Sequence, residues 1–186
     1  MMKSKQPRGK YESIHNPGYD FRRLIYWMKD MEMDEKDENT PIAPYFIPTL
    51  ALIGACFAIE GYINMVGQHV DPNWENFEKG PISVKKRLER IYSMLGKKLD
   101  LGHGIWQQVL DLFKSRIELA HPMYVSKTEI QNTEIPTVFQ RVEEKYPVLK
   151  SEKICDEAID VLLADASLSH LKNQWTLGGY SGPPRK

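Results

Sequence analysis

An arginine and a histidine near the end of one predicted helix are the residues of this chain whose types and spacing best suit chemistry. Drawn at about 100° per residue, the helix over residues 103–120 places Arg116 near the middle of its apolar stripe. That stripe comprises Trp106, Val109, Phe113 and Ala120. A guanidinium on a packing face is costly unless it is paired or opens into a site. Arg116 is therefore either a structural partner of Glu60 or part of an open site.

The histidine, His121, is followed by Pro122, which biases it out of the α conformation, so the helix should end there. On a straight helix, His121 and Arg116 would point about 140° apart. Because the chain leaves the helix at His121, the imidazole can swing back toward the arginine. The carboxyl end of a helix also favours a protonated imidazole, which suits proton transfer. A lone histidine before proline at a helix end is more often a cap than a catalyst, but the nearby arginine favours catalysis, and both roles stay open.

Two further polar residues interrupt a predicted helix over residues 49–68, for which Thr49 is a candidate N-cap. This helix is apolar on nearly every side, which indicates a central, buried element. Glu60 and Asn64 are four residues apart, so they lie on one side of it, one turn apart. Glu60 could orient Arg116, and Asn64 could bond to the backbone or to a substrate. Both residues also suit a purely structural role.

A basic cluster lies on the next predicted helix, which begins after Gly80 and Pro81. Its apolar stripe comprises Val84, Leu88, Ile91 and Leu95. The basic residues of its outer face are Lys85, Lys86, Arg87 and Arg90. Glu89 is interspersed among them, so the cluster is either an ordinary solvated face or a site for a polyanion.

The stretch Ser115-Arg-Ile-Glu-Leu-Ala-His-Pro122 resembles the R-x4-6-H motif of HEPN domains, which closes the third helix of a small helical bundle in that family. The upstream segment Glu60-Gly-Tyr-Ile-Asn64 resembles the first helix of HEPN-like proteins, and the basic helix lies between the two. The resemblance covers roughly residues 48–168. It implies an all-α, four-to-five-helix bundle, here with an extra N-terminal helix and flexible termini.

The resemblance also implies an activity, because many HEPN proteins are metal-independent endoribonucleases that act as homodimers, some in defence or toxin systems. Carried over to this chain, His121 would be the general base or acid, and Arg116 would stabilise charge on the phosphate. Lys85, Lys86 and Arg90 would contact RNA. Such a reaction needs no cofactor and no metal. The implied partners are RNA, a second copy of the chain and a protein such as an antitoxin.

Other HEPN proteins are non-catalytic dimerisation or binding modules, which is the alternative reading. Two observations favour it. The 25 basic and 25 acidic residues balance, so no global field steers the protein toward RNA. The residue after the arginine, frequently polar in the family, is Ile117. The unusual placement of Arg116 and the His121-Pro122 pair favour the enzyme.

The 186 residues divide into three predicted parts: an N-terminal arm with a short helix (1–47), the helical bundle domain (48–172) and a flexible tail (173–186). Further helices are predicted over 136–145 and 151–168, the last with Ser151 as N-cap. The start of the chain has no apolar signal region, and residues 50–59 are too few to span a membrane. Together with Cys56 and Cys155, which show no metal-site spacing, this predicts a cytoplasmic protein without a membrane partner.

Overall fold

The computed structural model describes residues 17–34, 46–120 and 138–172, and these ranges are helical with no strand. The all-α prediction is therefore confirmed for the described part of the chain. Its helices are α1 (Pro17–Asp34), α2 (Phe46–Val70), α3 (Trp74–Glu78), α4 (Val84–Met94), α5 (Gly104–Ala120), α6 (Val138–Lys145) and α7 (Val148–Asp165), and a short 3-10 helix (Ser169–Leu171) follows. The predicted flexible tail and the first 16 residues lie outside the described residues.

The 25-residue helix α2 forms the centre of the molecule. It contacts α1, α3, α4, α5, α6 and α7, so most of its side chains are covered. Leu52, Ile59 and Ile63 are at most 1% exposed. Full burial of such a side chain stabilises the fold by roughly 1.5 to 3 kcal/mol. The predicted central, buried helix is thus observed.

The starts of α2 and α7 differ from the prediction. α2 begins at Phe46, so Pro48 lies in its first turn and Thr49 is buried inside the helix rather than capping it. α7 begins at Val148, and Ser151 is likewise a buried helical residue. Both N-cap predictions are wrong. For Thr49, the reason is that amide groups in a first turn have no intrahelical acceptor, so Pro48 does not force the helix to start later.

α2 is also the one helix in the described ranges that is long and apolar enough to cross a membrane by length and composition. This differs from the expectation based on residues 50–59 alone, because the helix extends well beyond that run. In the fold, 67% of its most apolar 18-residue window is buried inside the protein. The core helix of a soluble protein passes the same test.

Helix α1 belongs to the core although its sequence lies in the predicted N-terminal arm. Ile25 joins the same buried cluster as Leu52 of α2. On its other side, α1 bonds to α7: Arg22 Nε donates to Asp156 Oδ1 at 2.7 Å, and Tyr26 Oη donates to both oxygens of that carboxylate at 3.0 and 2.9 Å. α1 therefore connects the central helix to the last long one.

A second polar cluster joins α4, α5 and α7. Tyr92 Oη donates to Asp165 Oδ2 at 2.6 Å, and Trp106 Nε1 donates to Tyr92 Oη at 3.0 Å. Lys97 Nζ donates to the other oxygen of Asp165 at 2.8 Å. Burial acts to raise the pKa of Asp165, but the hydrogen bonds from Lys97 and Tyr92 outweigh it, so this pKa is lowered.

A close approach of two helices depends on Gly67. The indole of Trp74 in α3 is 1% exposed and lies directly against this glycine of α2. A Cβ atom at position 67 would be 2.2 Å from Cε2 of that ring, well inside van der Waals contact. Position 67 therefore accepts no larger side chain without displacing Trp74.

We expect Gly67→Ala to lower the free energy of unfolding by about 1 to 3 kcal/mol, because the added methyl group overpacks the contact with Trp74. Chemical denaturation measures this change. Gly80→Ala is the matched control: a Cβ at Gly80 meets nothing within 4 Å, so its effect should stay below about 0.5 kcal/mol. Equal stability of the two variants would contradict the close contact.

A second prediction concerns pH. A carboxylate whose pKa is lowered by folding stabilises the protein above its unfolded pKa of about 3.9, and this stabilisation is lost as pH falls through the lower, folded value. Asp165→Asn should therefore be less stable than wild type at neutral pH, and the difference should shrink below about pH 4. Denaturation curves from pH 7 to pH 3 test this. A difference that does not change with pH would contradict it.

Candidate functional site

The carboxylate of Glu60 joins three helices at one point. Glu60 is the one Asp, Glu, Lys or Arg residue in the sequence of α2. Its Oε1 accepts a hydrogen bond from Nη1 of Arg87 in α4 at 2.7 Å, and its Oε2 is 3.7 Å from Nη1 of Arg116 in α5. Arg87 Nη2 also lies 4.0 Å from Glu78. Glu60 is thus shared by two arginines, and the shorter contact is with Arg87.

The position of Arg87 corrects the sequence analysis, which placed it on the outer face of its helix. Arg87 is 9% exposed and is paired with Glu60 inside the molecule. The sequence of α4 offers four basic residues close together, and periodicity alone cannot tell which of them meets a carboxylate of another helix. Arg87 therefore belongs to the structural support of the site.

Arg116 is held in place but retains hydrogen-bonding capacity. Its guanidinium carbon lies 4.7 Å from the centroid of the Phe57 ring, and its side chain is 35% exposed. At 3.7 Å its contact with Glu60 is an ion pair longer than a hydrogen bond. Arg116 forms no hydrogen bond to any described residue. Its N–H donors can therefore meet the oxygens of an anion.

The buried stripe of α5 is rotated relative to the prediction. Its buried residues are Ile105, Trp106, Val109, Leu112 and Ser115. Phe113 is half-buried and Ala120 is exposed, so the centre of the stripe passes through Leu112. Arg116 consequently lies at the edge of the packed face, next to solvent, rather than in its middle. This edge position explains how a charged side chain is accommodated.

The three other candidate site residues differ in what the structure shows of them. His121 lies outside the described residues, so its approach to Arg116 stays a prediction. Glu60 does contact Arg116, as one of the two predicted alternatives required. Asn64 is half-buried, and its Oδ1 has no hydrogen-bond partner among the described residues.

The three basic residues expected to contact RNA are not equivalent. Lys85 and Lys86 are exposed, and Lys85 makes a long 3.9 Å ion pair with Glu89. Arg90, in contrast, donates from Nε to Oδ2 of Asp71 at 2.8 Å. The hydrogen bond from Arg90, together with one from a backbone amide, lowers the pKa of Asp71. Arg90 is thus already engaged within the fold.

A cavity of about 500 Å³ lies between the start of α4 and the second half of α5. Its apolar lining consists of Ile82, Val84, Leu110, Phe113 and Ile117. Its polar lining consists of Glu60, Ser83, Lys85, Lys114, Arg116 and Glu118. This cavity was not predicted from the sequence. The available signal was the spacing of Leu110, Phe113 and Ile117, a second apolar row at i, i+3 and i+7 of α5.

Ile117 has an unusual environment for a large apolar residue. It is 60% exposed, although it lines the cavity beside Arg116. Isolated exposed apolar residues are ordinary, but one that continues an apolar cavity extends a surface suited to binding. The structure therefore brings Glu60, Arg116, Lys85 and Ile117 together around one cavity.

No family model, curated protein or solved structure matches this chain. Within the described ranges, no group of three or more His, Cys, Asp or Glu residues could hold a metal ion. The function is therefore inferred from the chemistry of the residues around the cavity.

We expect Glu60→Gln to lower the free energy of unfolding by about 1.5 to 3 kcal/mol, because it removes the charged hydrogen-bond acceptor of the buried Arg87. Chemical denaturation measures the change. Glu89→Gln is the matched control, since its ion pair with Lys85 is exposed and long, and the expected loss is below about 0.5 kcal/mol. A loss below about 0.5 kcal/mol in Glu60→Gln as well would show that the shared carboxylate does not stabilise the fold.

Proposed function

We propose that the protein binds RNA through Arg116 and cleaves it without a metal, as a HEPN-like endoribonuclease of a defence or toxin system. The observation that carries this proposal is the state of Arg116. Its guanidinium is fixed by Glu60 and Phe57, is partly exposed, and makes no hydrogen bond to a described residue. A planar, pre-oriented guanidinium is well suited to the oxygens of a phosphate.

In the proposed reaction, the ribose 2′-oxygen attacks the adjacent phosphorus, and the bond from phosphorus to the 5′-oxygen of the next nucleotide breaks. The 2′-hydroxyl proton passes to a neutral imidazole of His121. The 5′-oxygen leaves with a proton from a protonated imidazole, and in a two-fold homodimer the second copy of His121 supplies it. One product ends in a 2′,3′-cyclic phosphate and the other begins with a 5′-hydroxyl.

Several features support this arrangement. α5 is helical to Ala120, the residue directly before His121, and the proposal places the histidine at the negative end of the helix dipole. Arg116 lies about one turn earlier on the same helix. It would stabilise the charge that develops on the phosphate. Glu60 would act as a positioning residue, since it contacts Arg116 from the neighbouring helix.

In this proposal, basic residues near Arg116 contact the backbone of the RNA. Lys85 lines the same cavity as Arg116, and Lys86 is exposed beside it. Salt-dependent contacts of this kind position a phosphate chain without reading its sequence. Arg90 contributes less in this proposal, because its guanidinium is bonded to Asp71. A HEPN-like bundle in the cytoplasm with RNA as its partner is consistent with these roles.

The second candidate is a non-catalytic, HEPN-like dimerisation or binding module. The exposure of Ile117 favours it, since a second copy of the chain or another protein partner, such as an antitoxin, would cover this residue and the cavity. In that case Arg116 would serve the interface, and no proton transfer by His121 would be required.

The deciding experiment measures cleavage of structured and unstructured RNA in EDTA, with detection of 2′,3′-cyclic phosphate ends. We expect His121→Ala to lower the cleavage rate by about 100-fold or more while RNA binding is retained. Arg116→Gln should weaken both binding and cleavage. His170→Ala is the control, because His170 is exposed on the 3-10 helix after α7 and should leave both unchanged.

Cleavage by wild type that His121→Ala does not reduce would contradict the assignment of His121. If wild type cleaves none of these RNAs and still sediments as a folded dimer, the enzyme is rejected for these substrates and the binding module is retained. Sedimentation of the Ile117→Asp variant as a monomer would then locate the dimer interface at this face.

A further inference from the structure

The cavity between α4 and α5 has an apolar part that RNA binding at Arg116 does not use. Branched aliphatic side chains dominate this part, and Phe113 is its one aromatic residue. The apolar residues offer no hydrogen-bond donor or acceptor from their side chains. A group that fills this space must therefore itself be apolar.

One edge of the same cavity carries a local excess of positive charge. Its basic residues are Lys85, Lys114 and Arg116, and its acidic residues are Glu60 and Glu118. Glu60 contacts Arg116 at 3.7 Å as well as Arg87 at 2.7 Å, and Lys85 also pairs with Glu89 at 3.9 Å. Among the residues that line the cavity, three basic groups still face only two carboxylates, and this excess of one positive charge favours an anionic group at this edge.

The first turn of α4 adds to the attraction for an anion. Ser83 caps this helix with its side chain, which accepts a hydrogen bond from the amide of Lys86. Val84 and Lys85 line the cavity and belong to the first turn, where amide N–H groups have no intrahelical acceptor. The positive end of the helix dipole lies there as well.

The size and composition of the cavity suit a small molecule. Its volume of about 500 Å³ falls within the range of roughly 300 to 1000 Å³ that is usual for such sites. Small-molecule sites are mostly apolar and have a few polar groups that fix orientation, as this one does. The partly exposed guanidinium of Arg116 can donate two parallel hydrogen bonds to one planar carboxylate.

We propose that this cavity binds a small amphiphile made of an aliphatic body and one terminal carboxylate. The body occupies the space between Val84, Leu110 and Phe113, and the carboxylate contacts Arg116 and Lys85. This proposal goes beyond the cleavage of RNA and does not depend on it. Since both ligands use Arg116, the bound amphiphile excludes a phosphate from that residue.

The test is direct binding of decanoate to the full chain by isothermal titration calorimetry in the absence of RNA, below the concentration at which decanoate forms micelles. Acetate carries the carboxylate without the body, and 1-decanol carries the body without the charge. Both should bind at least about tenfold more weakly than decanoate, which corresponds to about 1.4 kcal/mol. No binding of decanoate, or equal binding of acetate, would overturn the proposal.

Two variants locate the bound molecule. Ile117→Glu places a negative charge at the mouth of the cavity and should weaken decanoate binding by about tenfold. Leu149→Glu is its matched control, because Leu149 is 57% exposed against 60% for Ile117 and lies on α7, outside the cavity. It should leave the affinity unchanged within about twofold. Equal weakening in both would indicate nonspecific adsorption and overturn the assignment.

A third variant tests the contact between the carboxylate and Arg116. A binding experiment with lipid vesicles tests whether the amphiphile is a free molecule or part of a lipid surface. Arg116→Gln should weaken decanoate but leave the weak binding of 1-decanol unchanged, whereas equal effects on both would contradict the contact with the guanidinium. Circular dichroism confirms that each variant is folded. Binding to phosphatidylglycerol vesicles without binding to monomeric decanoate would replace the small ligand by a lipid surface, and so would also overturn the proposal.

Discussion

The burial of α2 on all sides is the constraint on which the rest of the structure depends. A helix surrounded by other helices must be apolar, or its charges must be neutralised by its neighbours. α2 satisfies this condition with one exception, Glu60, and the exception is matched by Arg87 and Arg116 from two different helices. The carboxylate thereby connects α2 to both α4 and α5.

The sharing of Glu60 also determines the chemistry of the site. One carboxylate cannot fully satisfy two guanidinium groups, and the 2.7 Å contact goes to the more buried Arg87. Arg116 is left with the longer contact to Glu60 and packs against the Phe57 ring. Its side chain also lines the cavity. The same geometry would suit the proposed phosphate and the proposed carboxylate, because both present oxygens to unused N–H donors.

The sequence predicted the helical class and the central place of α2, since both depend on local periodicity. It left the pairing of Glu60 with Arg116 as one of two alternatives, argued from the cost of burying charge. It did not predict the burial of Arg87 or the cavity, because both arise where helices far apart in sequence meet. The caps assigned to Thr49 and Ser151 were wrong because the sequence pattern is the same whether a polar residue near a helix start caps the helix or packs inside it. The role of His121 stays a prediction.

The bond between Arg22 and Asp156 has a consequence for the synthesis of the chain. The two residues are 134 positions apart. Asp156 therefore leaves the ribosome on the order of ten seconds after Arg22. In that interval α1 can cover only part of α2, and the surfaces reserved for α5 and α7 remain in contact with water. The nascent chain therefore carries a long apolar helix that its own later segments have yet to cover.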